Sequence, residues 1–184
     1  MFIRIETPRL SLRDHLPEDL TPLHSLLSDP AAMWYLPDMY REDPGETLAY
    51  LEGTLRDIHA SPRLRCNLAV LDQSGALLGE VGLHHIDGDL NAGHWGLGYF
   101  IHPDRWNLGY ATEAVRAALR WRFERGAFRI SASCLSENPG SRRVLEKCGF
   151  TQEGLLKAHT RHDGAWKDCA VYRLLREEYT DPME

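Results

Sequence analysis

The sequence predicts a mixed α/β fold in which one mostly antiparallel sheet carries helices on its faces. Three observations support this prediction. The 184 residues are 43% hydrophobic and include five tryptophans, enough to bury one substantial core, so we expect a single domain over residues 1–184. Segments with the apolar spacing of helices alternate along the chain with segments that favour strands. In the middle of the chain, three strand-like segments are joined by short turns, which is typical of an antiparallel meander.

The first half of the chain provides one strand, two helices and the meander. Residues 3–12 are predicted to form a strand. Helices are expected at residues 17–29 and 44–60, because both segments begin with proline and have apolar side chains at helical spacing. The meander follows, with strands predicted at residues 65–72, 77–86 and 94–101.

The second half provides two helices and three strands. A helix is predicted from Thr112, because apolar side chains share one of its faces, and Gly126 stands where a left-handed cap ends such a helix. The remaining elements are a strand, a short helix and two last strands, predicted at residues 128–135, 139–149, 150–160 and 166–175. Asp163 and Gly164 form a strong turn signal between the last two strands. The whole pattern predicts about seven strands and about four helices.

Composition and charge narrow the classes of function. The formal net charge of -6 disfavours direct binding to nucleic acid and favours a cationic partner such as an amine. No apolar run approaches the ~20 residues of a membrane span, and Arg4 and Glu6 interrupt the start where a secretory signal is apolar. We therefore expect a cytoplasmic protein without membrane attachment. The four cysteines form no CxxC pair and have no histidine at ligand spacing, which predicts reduced thiols and no metal.

The segment RWNLGYATEAVR at residues 105–116 indicates an anion site. A helix that begins near Thr112 offers free backbone N–H groups and the positive end of its dipole, and Gly109 and Ala111 leave them accessible. Such a loop suits a phosphate or pyrophosphate. The alternative is that Thr112 only caps the helix, with Glu113 favoured in its first turn. The segment is neither a Walker loop, since no Gly-Lys-Ser/Thr follows, nor the GxGxxG dinucleotide fingerprint.

The stretch WNLGYATEA resembles the acyl-CoA loop of the GNAT superfamily of N-acetyltransferases, and in particular its Rim-type branch of ribosomal-protein N-terminal acetyltransferases. Three other stretches are similar to that branch: ETPRLSLRDHLPEDL at the start, ENPGSRRVLEKCGF, and HDGAWKDCAVYRLL near the end. The resemblance covers nearly the whole chain in the right order. It implies the GNAT fold and an enzyme that binds acetyl-CoA and an amine together and transfers the acetyl group directly.

The resemblance also implies the residues that hold acetyl-CoA. Backbone amides of the loop would bind the pyrophosphate, and Trp106 occupies the family's Gln/Arg position. The end of the strand at residues 94–101 would hydrogen-bond the pantetheine arm and offer an N–H to the developing oxyanion. Asn138 matches a position on the pantetheine side. The implied cofactor-binding residues are Phe100, Ile101, Trp106, Leu108, Gly109, Tyr110, Ala111, Thr112 and Asn138.

The departing thiolate needs a proton donor. The tyrosine that many family members use for this purpose would fall at Leu145. The resemblance implies Ser141 as the candidate donor instead, because Rim-type members carry a serine at this place in the N-x-x-S pattern. The alternative for Ser141 is a first-turn serine that satisfies helix backbone.

The amine needs a base, because a primary aliphatic amine with a pKa near ~10 is mostly protonated at neutral pH. The glutamate that serves as base in many relatives is replaced by Gly96. His94, one pleat step away on the same strand face, is the candidate base. Its rivals are Glu80, His84 and His159, and a water chain to solvent would need none of them.

The acceptor is expected to be a protein N-terminus or a small amine. Trp34, Tyr35 and Tyr40 stand where relatives build one wall of the acceptor site, and the nearby Asp38, Glu42 and Asp43 would attract the charge of the amine. The alternative is a core plug with a solvated acidic flank. A homodimer is reasonable. Two other functions stay open, a catalytically weak acyl-CoA-binding sensor and a transferase that uses another acyl donor such as succinyl-CoA.

Overall fold

The computed structural model describes residues 2–180 and contains one eight-stranded sheet with four α-helices. The strands are β1 (Arg4–Glu6), β2 (Leu10–Asp14), β3 (Arg65–Asp72), β4 (Leu77–Asp87), β5 (His94–Ile101), β6 (Arg129–Leu135), β7 (Thr151–His162) and β8 (Ala165–Leu175). The helices are α1 (Leu20–Leu27), α2 (Pro44–His59), α3 (Tyr110–Glu124) and α4 (Pro139–Lys147). The sheet order is β1-β2-β3-β4-β5-β6-β8-β7, and only the β5–β6 pair is parallel. The predicted mixed, mostly antiparallel sheet is confirmed.

The sheet has one strand more than predicted. The prediction of a single first strand at residues 3–12 was wrong, because this segment forms two strands. Residues 3–12 contain a turn, and β1 and β2 pair with each other as an antiparallel hairpin. Thr7 closes the turn, since its backbone N–H and its hydroxyl both donate to the Leu10 carbonyl. Pro8 in this turn has no N–H to offer to a sheet ladder. The alternation of apolar residues in the sequence did not reveal the turn between β1 and β2.

Two apolar cores lie on the two faces of the sheet, because side chains along each strand alternate between the faces. On β5, Trp95, Leu97 and Ile101 belong to the larger core together with residues of α3. Phe100 belongs to the smaller core beneath α1 and α2. The face that carries Phe100 also carries the even-numbered residues of β5.

A gap opens between β5 and β6. The two strands pair only where His94, Trp95 and Gly96 face residues 129–131. Beyond that point β5 stays paired with β4 as far as Ile101, while β6 stays paired with β8 as far as Leu135. The strands therefore separate in the middle of the sheet, and the gap faces the N-termini of α3 and α4.

The predictions on turns, cysteines, metal ligands and membrane spans can be compared with the structure. Gly126 ends α3 with φ of 92°, and Asp163 and Gly164 form the β7–β8 turn with φ of 48° and 72°, so both predictions are confirmed. The four cysteines carry free thiols. Within residues 2–180, no three His, Cys, Asp or Glu side chains are grouped closely enough to hold a metal ion. No helix in this range combines the length and the apolar character that crossing a bilayer requires.

Candidate active site

The loop before α3 presents free N–H groups. Gly109 is the N-cap of α3, with φ of 83°, and the helix begins at Tyr110, two residues before the predicted start. The first bond within the helix runs from the Glu113 N–H to the Gly109 carbonyl at 3.0 Å. The N–H groups of Tyr110, Ala111 and Thr112 consequently have no acceptor within the helix. Since Gly109 is the N-cap, the alternative that Thr112 caps the helix is wrong.

Side chains from both flanks hold this loop in place. The indole Nε1 of Trp106 donates to the Ile101 carbonyl at 2.7 Å, which ties the loop to the end of β5. Arg9, from the β1–β2 turn, donates to the Leu108 carbonyl at 2.9 Å and lies 4.5 Å from the ring centroid of Tyr110. The loop is therefore fixed before any ligand binds.

Arg9 is itself held by Glu113. The Glu113 carboxylate accepts hydrogen bonds from the Arg9 backbone N–H, the Arg9 Nε and the Thr7 hydroxyl. Burial opposes ionisation of Glu113, but these hydrogen bonds outweigh it and lower the pKa of the carboxyl. Arg9 lies in the ETPRL motif, but its role could not be predicted, because nothing local in the sequence connects it with a helix about a hundred residues further on.

The backbone at the end of β5 alternates between β4 and the gap. His102 donates its N–H to Leu78 of β4 at 2.7 Å, and Phe100 is opposite Glu80 in the same register. The N–H and carbonyl of Phe100 therefore point to β4. The N–H and carbonyl groups of Tyr99 and Ile101 point the other way, to the gap. Of the two strand residues that the resemblance implies, Ile101 has its backbone in the gap and Phe100 contributes a buried side chain to the smaller core.

A hydroxyl pair lies at the N-terminus of α4. The Oδ1 atom of Asn138 accepts the backbone N–H of Ser141 at 3.0 Å and caps the helix. The Ser141 hydroxyl lies 2.9 Å from the Tyr99 hydroxyl, which also lies 3.1 Å from the Ser141 carbonyl. Burial raises the pKa of Tyr99, so its hydroxyl stays protonated at neutral pH. Leu145, at the family's tyrosine position, is fully buried.

Tyr99 was not among the predicted site residues. Its position next to Gly98 at the end of a strand was visible in the sequence, but contact with α4 depends on the direction of β5 across the gap.

Glycines form the floor of a groove on the face of the sheet that carries α1 and α2. Gly82 of β4 is directly opposite Gly98 of β5, and His84 is opposite Gly96. A Cβ atom at Gly98 would meet open space. A Cβ atom at Gly96 would lie 2.2 Å from the His84 ring, so this imidazole occupies the space of a side chain at position 96. Partial burial and the charge of Arg65 lower the pKa of His84, which favours its neutral form.

His94 lies at the closed end of the gap. It is opposite Arg129 where β5 and β6 still pair, and its Nε2 lies 2.7 Å from the Ser131 hydroxyl. Tyr99 is five positions further along the strand, a distance of about 16 Å at ~3.3 Å per residue. Burial and the charge of Arg129 lower its pKa. The structure therefore brings Ser141, Asn138 and Ile101 to the gap but does not bring His94 to them.

The other two candidates for the catalytic base, His159 and Glu80, lie in different surroundings. His159 is exposed on β7. Glu80 is 4% exposed and accepts hydrogen bonds from the Tyr50 hydroxyl at 2.6 Å and from His15. Asn67 donates to the same Tyr50 hydroxyl at 2.8 Å.

His15 is the centre of this buried polar cluster. Its two ring nitrogens lie 3.1 Å from Asp19 and 3.0 Å from Glu80, and Arg13 makes two hydrogen bonds to Asp19. Burial alone would lower the pKa of His15, but hydrogen bonds and charges of the two carboxylates raise it to about 9. Burial likewise opposes ionisation of Asp19, yet Arg13 and His15 hold the pKa of its carboxyl well below its usual range. Glu80 is therefore engaged by a protonated histidine.

An aromatic wall formed by Trp34, Tyr35 and His162 connects the α1–α2 segment with the β7–β8 hairpin. Trp34 packs edge-on against His162 with ring centroids 5.1 Å apart, and Tyr35 stacks on the other side at 6.2 Å. The Tyr35 hydroxyl donates to the carbonyl of Glu137, next to Asn138. The Nε2 atom of His162 is buried and has no partner among residues 2–180. Two of the three predicted wall residues are thus near the α4 end of the gap.

Tyr40 and Asp43, which were predicted to lie at the acceptor site with Trp34 and Tyr35, have structural roles. Tyr40 packs against the smaller core, and Asp43 is the N-cap of α2, accepting the Gly45 N–H at 2.9 Å.

Comparisons with known proteins agree with this architecture. A family model described as an acetyltransferase (GNAT) domain matches residues 9–151. The crystal structure of a GNAT-family acetyltransferase from Bacillus anthracis is 30% identical, has a TM-score of 0.83 and covers 96% of this chain and 100% of its own. The uncharacterized N-acetyltransferase YnaD from Bacillus subtilis is 28% identical over 180 residues, which is 96% of this chain and 99% of that protein.

A third relative was solved with ligands. The spermidine N-acetyltransferase from Vibrio cholerae, in complex with CoA and spermine, is 26% identical with a TM-score of 0.77, covering 94% of this chain and 99% of its own. The family model alone spans well over half of the present chain. The protein therefore belongs to the GNAT family, has the GNAT fold and is an N-acetyltransferase.

Proposed function

We propose that this enzyme transfers an acetyl group directly from acetyl-CoA to a primary amine while both are bound at the β5–β6 gap. The observation that carries the proposal is the His84 imidazole, which fills the space above Gly96 on the glycine floor of the groove. The backbone groups of Tyr99 and the N–H of Ile101 face the neighbouring gap, while the Ile101 carbonyl accepts the Trp106 indole N–H. Two reactants held in one such place gain the large advantage of proximity over reactants in solution.

The loop residues fit the pyrophosphate of acetyl-CoA. Leu108, Gly109, Tyr110, Ala111 and Thr112 would provide its backbone N–H groups. A Cβ atom at Gly109 would lie 3.3 Å from the Arg9 Nη2, so a larger residue would crowd the surface on which the anion rests. Helix dipole and free N–H groups together favour anions at this position.

The neighbouring residues would complete the site. Trp106 positions the loop through its bond to Ile101. Ile101 would use its N–H in the gap to stabilise charge on the thioester oxygen. Phe100 would support that strand from below, and Asn138 would hold the α4 terminus beside the pantetheine arm.

Proton transfer requires an acid and a base. We assign the base to His84 rather than to His94, because the His84 ring lies over Gly96, whereas His94 is held by Ser131 where β5 and β6 still pair. As a neutral imidazole, His84 would accept the proton that the ammonium must lose before attack. We assign the acid to Ser141. Its hydroxyl would give a proton to the departing CoA sulfur and take one from the Tyr99 hydroxyl along their 2.9 Å contact. Tyr99 would in turn take up a proton from solvent, so that both hydroxyls end the step protonated.

The acceptor is a primary amine of a protein N-terminus or of a small molecule, entering along the aromatic wall of Trp34, Tyr35 and His162. The four quoted motifs support the narrower Rim-type interpretation. The sensor alternative depended on the lost family tyrosine and glutamate, and the Tyr99–Ser141 pair and His84 supply those chemical groups from other positions. Succinyl-CoA remains the alternative donor.

The proposal is tested by measuring release of free CoA thiol from acetyl-CoA with N-terminal peptides, polyamines, amino acids and aminoglycosides as acceptors. We expect turnover with one class of amine. In His84→Gln, kcat/KM for that amine should fall about a hundredfold, a usual contribution of general base catalysis. His94→Gln is the matched control and should stay within about twofold.

Loss of activity in the His94 variant with full activity in the His84 variant would reverse the assignment. No turnover with any acceptor, despite tight binding of acetyl-CoA, would favour the sensor. The same panel with succinyl-CoA separates the two donors.

A further inference from the structure

A cavity separate from the β5–β6 gap lies at the C-terminal end of α3, opposite the proposed acetyl-CoA loop. It has a volume of about 310 Å³. It is lined by Ile3 just before β1, the C-terminus of α2 and the segment after it, the start of β3, the β4–β5 loop, the start of β5 and the last turns of α3. Its apolar walls include Ile3, Ile58, Trp95 and Trp121. The 15 residues of α3 place it about 22 Å from Gly109, at ~1.5 Å per residue. It is therefore separate from the site proposed above, and its size is at the lower end of small-molecule sites.

Two buried donors in the lining of this cavity have no acceptor. Trp95 is 2% exposed, and its indole Nε1 makes no hydrogen bond within residues 2–180. Arg122 is 5% exposed, and its Nε is likewise without a partner, although its Nη2 donates to the Leu90 carbonyl. The Arg122 guanidinium lies 4.0 Å from the Trp95 ring centroid, so the two donors belong to one contact pair. Buried donors of this kind are rare because each carries an uncompensated desolvation cost.

The charge of Arg122 is also uncompensated. No carboxylate oxygen among residues 2–180 lies within 4.0 Å of its nitrogens. Burial lowers the pKa of Arg122, as expected for a cation removed from water without a partner. The Cys66 thiol in the same lining is no counterion, because burial raises its pKa and keeps it neutral.

The other two arginines of the lining have carboxylates nearby. Arg63 forms a salt bridge of 2.5 Å with Asp14, and Arg125, which is exposed, lies 3.9 Å from Glu124. The cavity thus combines one unpaired cation, two free N–H groups and apolar walls.

We propose that this cavity binds a small organic carboxylate whose apolar or aromatic body fills the walls and whose oxygens accept hydrogen bonds from Trp95 Nε1 and Arg122 Nε. A single negative charge matches the single uncompensated guanidinium. A phosphate dianion is the weaker candidate, because it would leave one charge unpaired against largely apolar walls.

Benzoate is the probe, titrated into the full-length protein by calorimetry and by tryptophan fluorescence, since Trp95 and Trp121 both line the cavity. We expect saturable binding at millimolar concentration or below, unchanged by saturating CoA. Benzamide has the same shape without the charge and should bind at least about tenfold more weakly. Inorganic phosphate should not compete. Equal binding of benzoate and benzamide, or no saturable binding because water alone satisfies the donors, would overturn the proposal.

Two substitutions locate the site. Arg122→Met removes the charge and keeps a long apolar side chain, and we expect it to abolish benzoate binding. Trp95→Phe keeps an aromatic ring without the N–H and should weaken binding about fivefold or more, which keeps the test valid if Arg122→Met fails to fold. Arg125→Gln, at the exposed mouth, is the matched control and should stay within about twofold. Unchanged affinity in both Arg122→Met and Trp95→Phe would also overturn the proposal, and neither result bears on CoA binding.

Discussion

The two sides of the active-site gap are built in different ways. The proposed acetyl-CoA side uses backbone groups of one continuous segment, residues 106–112, with Gly109 at its centre. The proposed acceptor side uses side chains from three separate parts of the chain, at Tyr35, His84 and His162. A backbone site within one segment leaves a readable pattern in the sequence, whereas a side-chain site depends on how distant segments meet. This difference predicts that substitutions on the two sides impair binding and catalysis in different ways.

The largest effect is expected at the backbone site. Gly109→Val places a β-branched residue at φ of 83° and crowds the Arg9 guanidinium. Misplacing two charge-assisted hydrogen bonds to the pyrophosphate, at ~1.5–3 kcal/mol each, should weaken CoA binding by a factor of about a hundred or more. Calorimetric titration with CoA measures this loss.

Gly75→Val is the matched control, because Gly75 has φ of 84° in an exposed turn with open space around it. It introduces the same kind of backbone strain far from the loop, so CoA affinity should not change. If Gly109→Val bound CoA normally, the loop would not be the pyrophosphate site.

The next effect concerns the chemical step at the junction of the two sides. In Ser141→Ala, kcat should fall about ten- to a hundredfold, below the upper range for acid catalysis because a thiolate leaves easily. The affinity for CoA should change little, since the Asn138 cap accepts a backbone N–H that alanine retains. Steady-state kinetics and calorimetry together distinguish these outcomes.

Tyr99→Phe tests the relay behind Ser141. We expect a smaller loss of kcat than in Ser141→Ala, and no further loss when the two substitutions are combined, because both hydroxyls act in one chain. Additive losses would show that the two hydroxyls act independently, and unchanged turnover in Ser141→Ala would exclude Ser141 as the acid.

The same contrast explains how far the sequence could predict the structure. The helices, the meander and the glycine at the loop follow from local spacing and turn chemistry, so they were predictable. The split of the first strand at Thr7 was missed because Pro8 lies inside an otherwise alternating segment. The start of α3 was placed at Thr112 because apolar residues at helical spacing follow from there, while the helix begins at Tyr110, after Gly109 in a left-handed conformation.

The catalytic side chains were harder to predict for a physical reason. His94 was favoured because it lies on the same strand face as Gly96. The side chain that occupies the space above Gly96 comes from the neighbouring strand, at His84, and only the β4–β5 register reveals this pairing. Similarly, Tyr99 reaches Ser141 across the gap, 42 residues along the chain.

A moderate effect on CoA binding is expected from Arg9, which lies outside residues 106–112 and supports that segment from the β1–β2 turn. Arg9→Gln removes its ion pair with Glu113 and its bond to the Leu108 carbonyl. Because the Arg9 side chain is 45% exposed, the ion pair contributes only ~0.2–1 kcal/mol. We expect CoA affinity to fall about threefold to tenfold, with kcat nearly unchanged. Arg4→Gln, whose ion pair with Glu6 lies on the same hairpin, is the control. A fall in kcat with unchanged CoA affinity would contradict this role.

The smallest effect on turnover, but a clear one on stability, is expected from the buried cluster beneath the acceptor groove. The pKa of His15 is about 9 in the folded protein and ~6.5 in an unfolded chain. Below pH ~6.5 both states carry the proton, and the stabilising contribution of His15 is complete. As the pH rises from there to about 9, the unfolded chain loses the proton first, so the free energy of unfolding should fall, with a limiting slope of ~1.4 kcal/mol per pH unit for one proton.

Urea unfolding between pH 6 and pH 8 measures this slope and avoids the range in which the buried cysteines begin to contribute. His15→Gln should remove most of the slope while leaving CoA affinity intact, because the cluster contacts α2, β3 and β4 and not the loop at Gly109. Since Glu80 and Tyr50 lie beneath the acceptor groove, the same variant should raise KM for the amine more than KM for acetyl-CoA. An unchanged slope in His15→Gln would mean that His15 is not the group that stays protonated, and a loss of CoA affinity would mean that the two sides of the gap are coupled through the sheet.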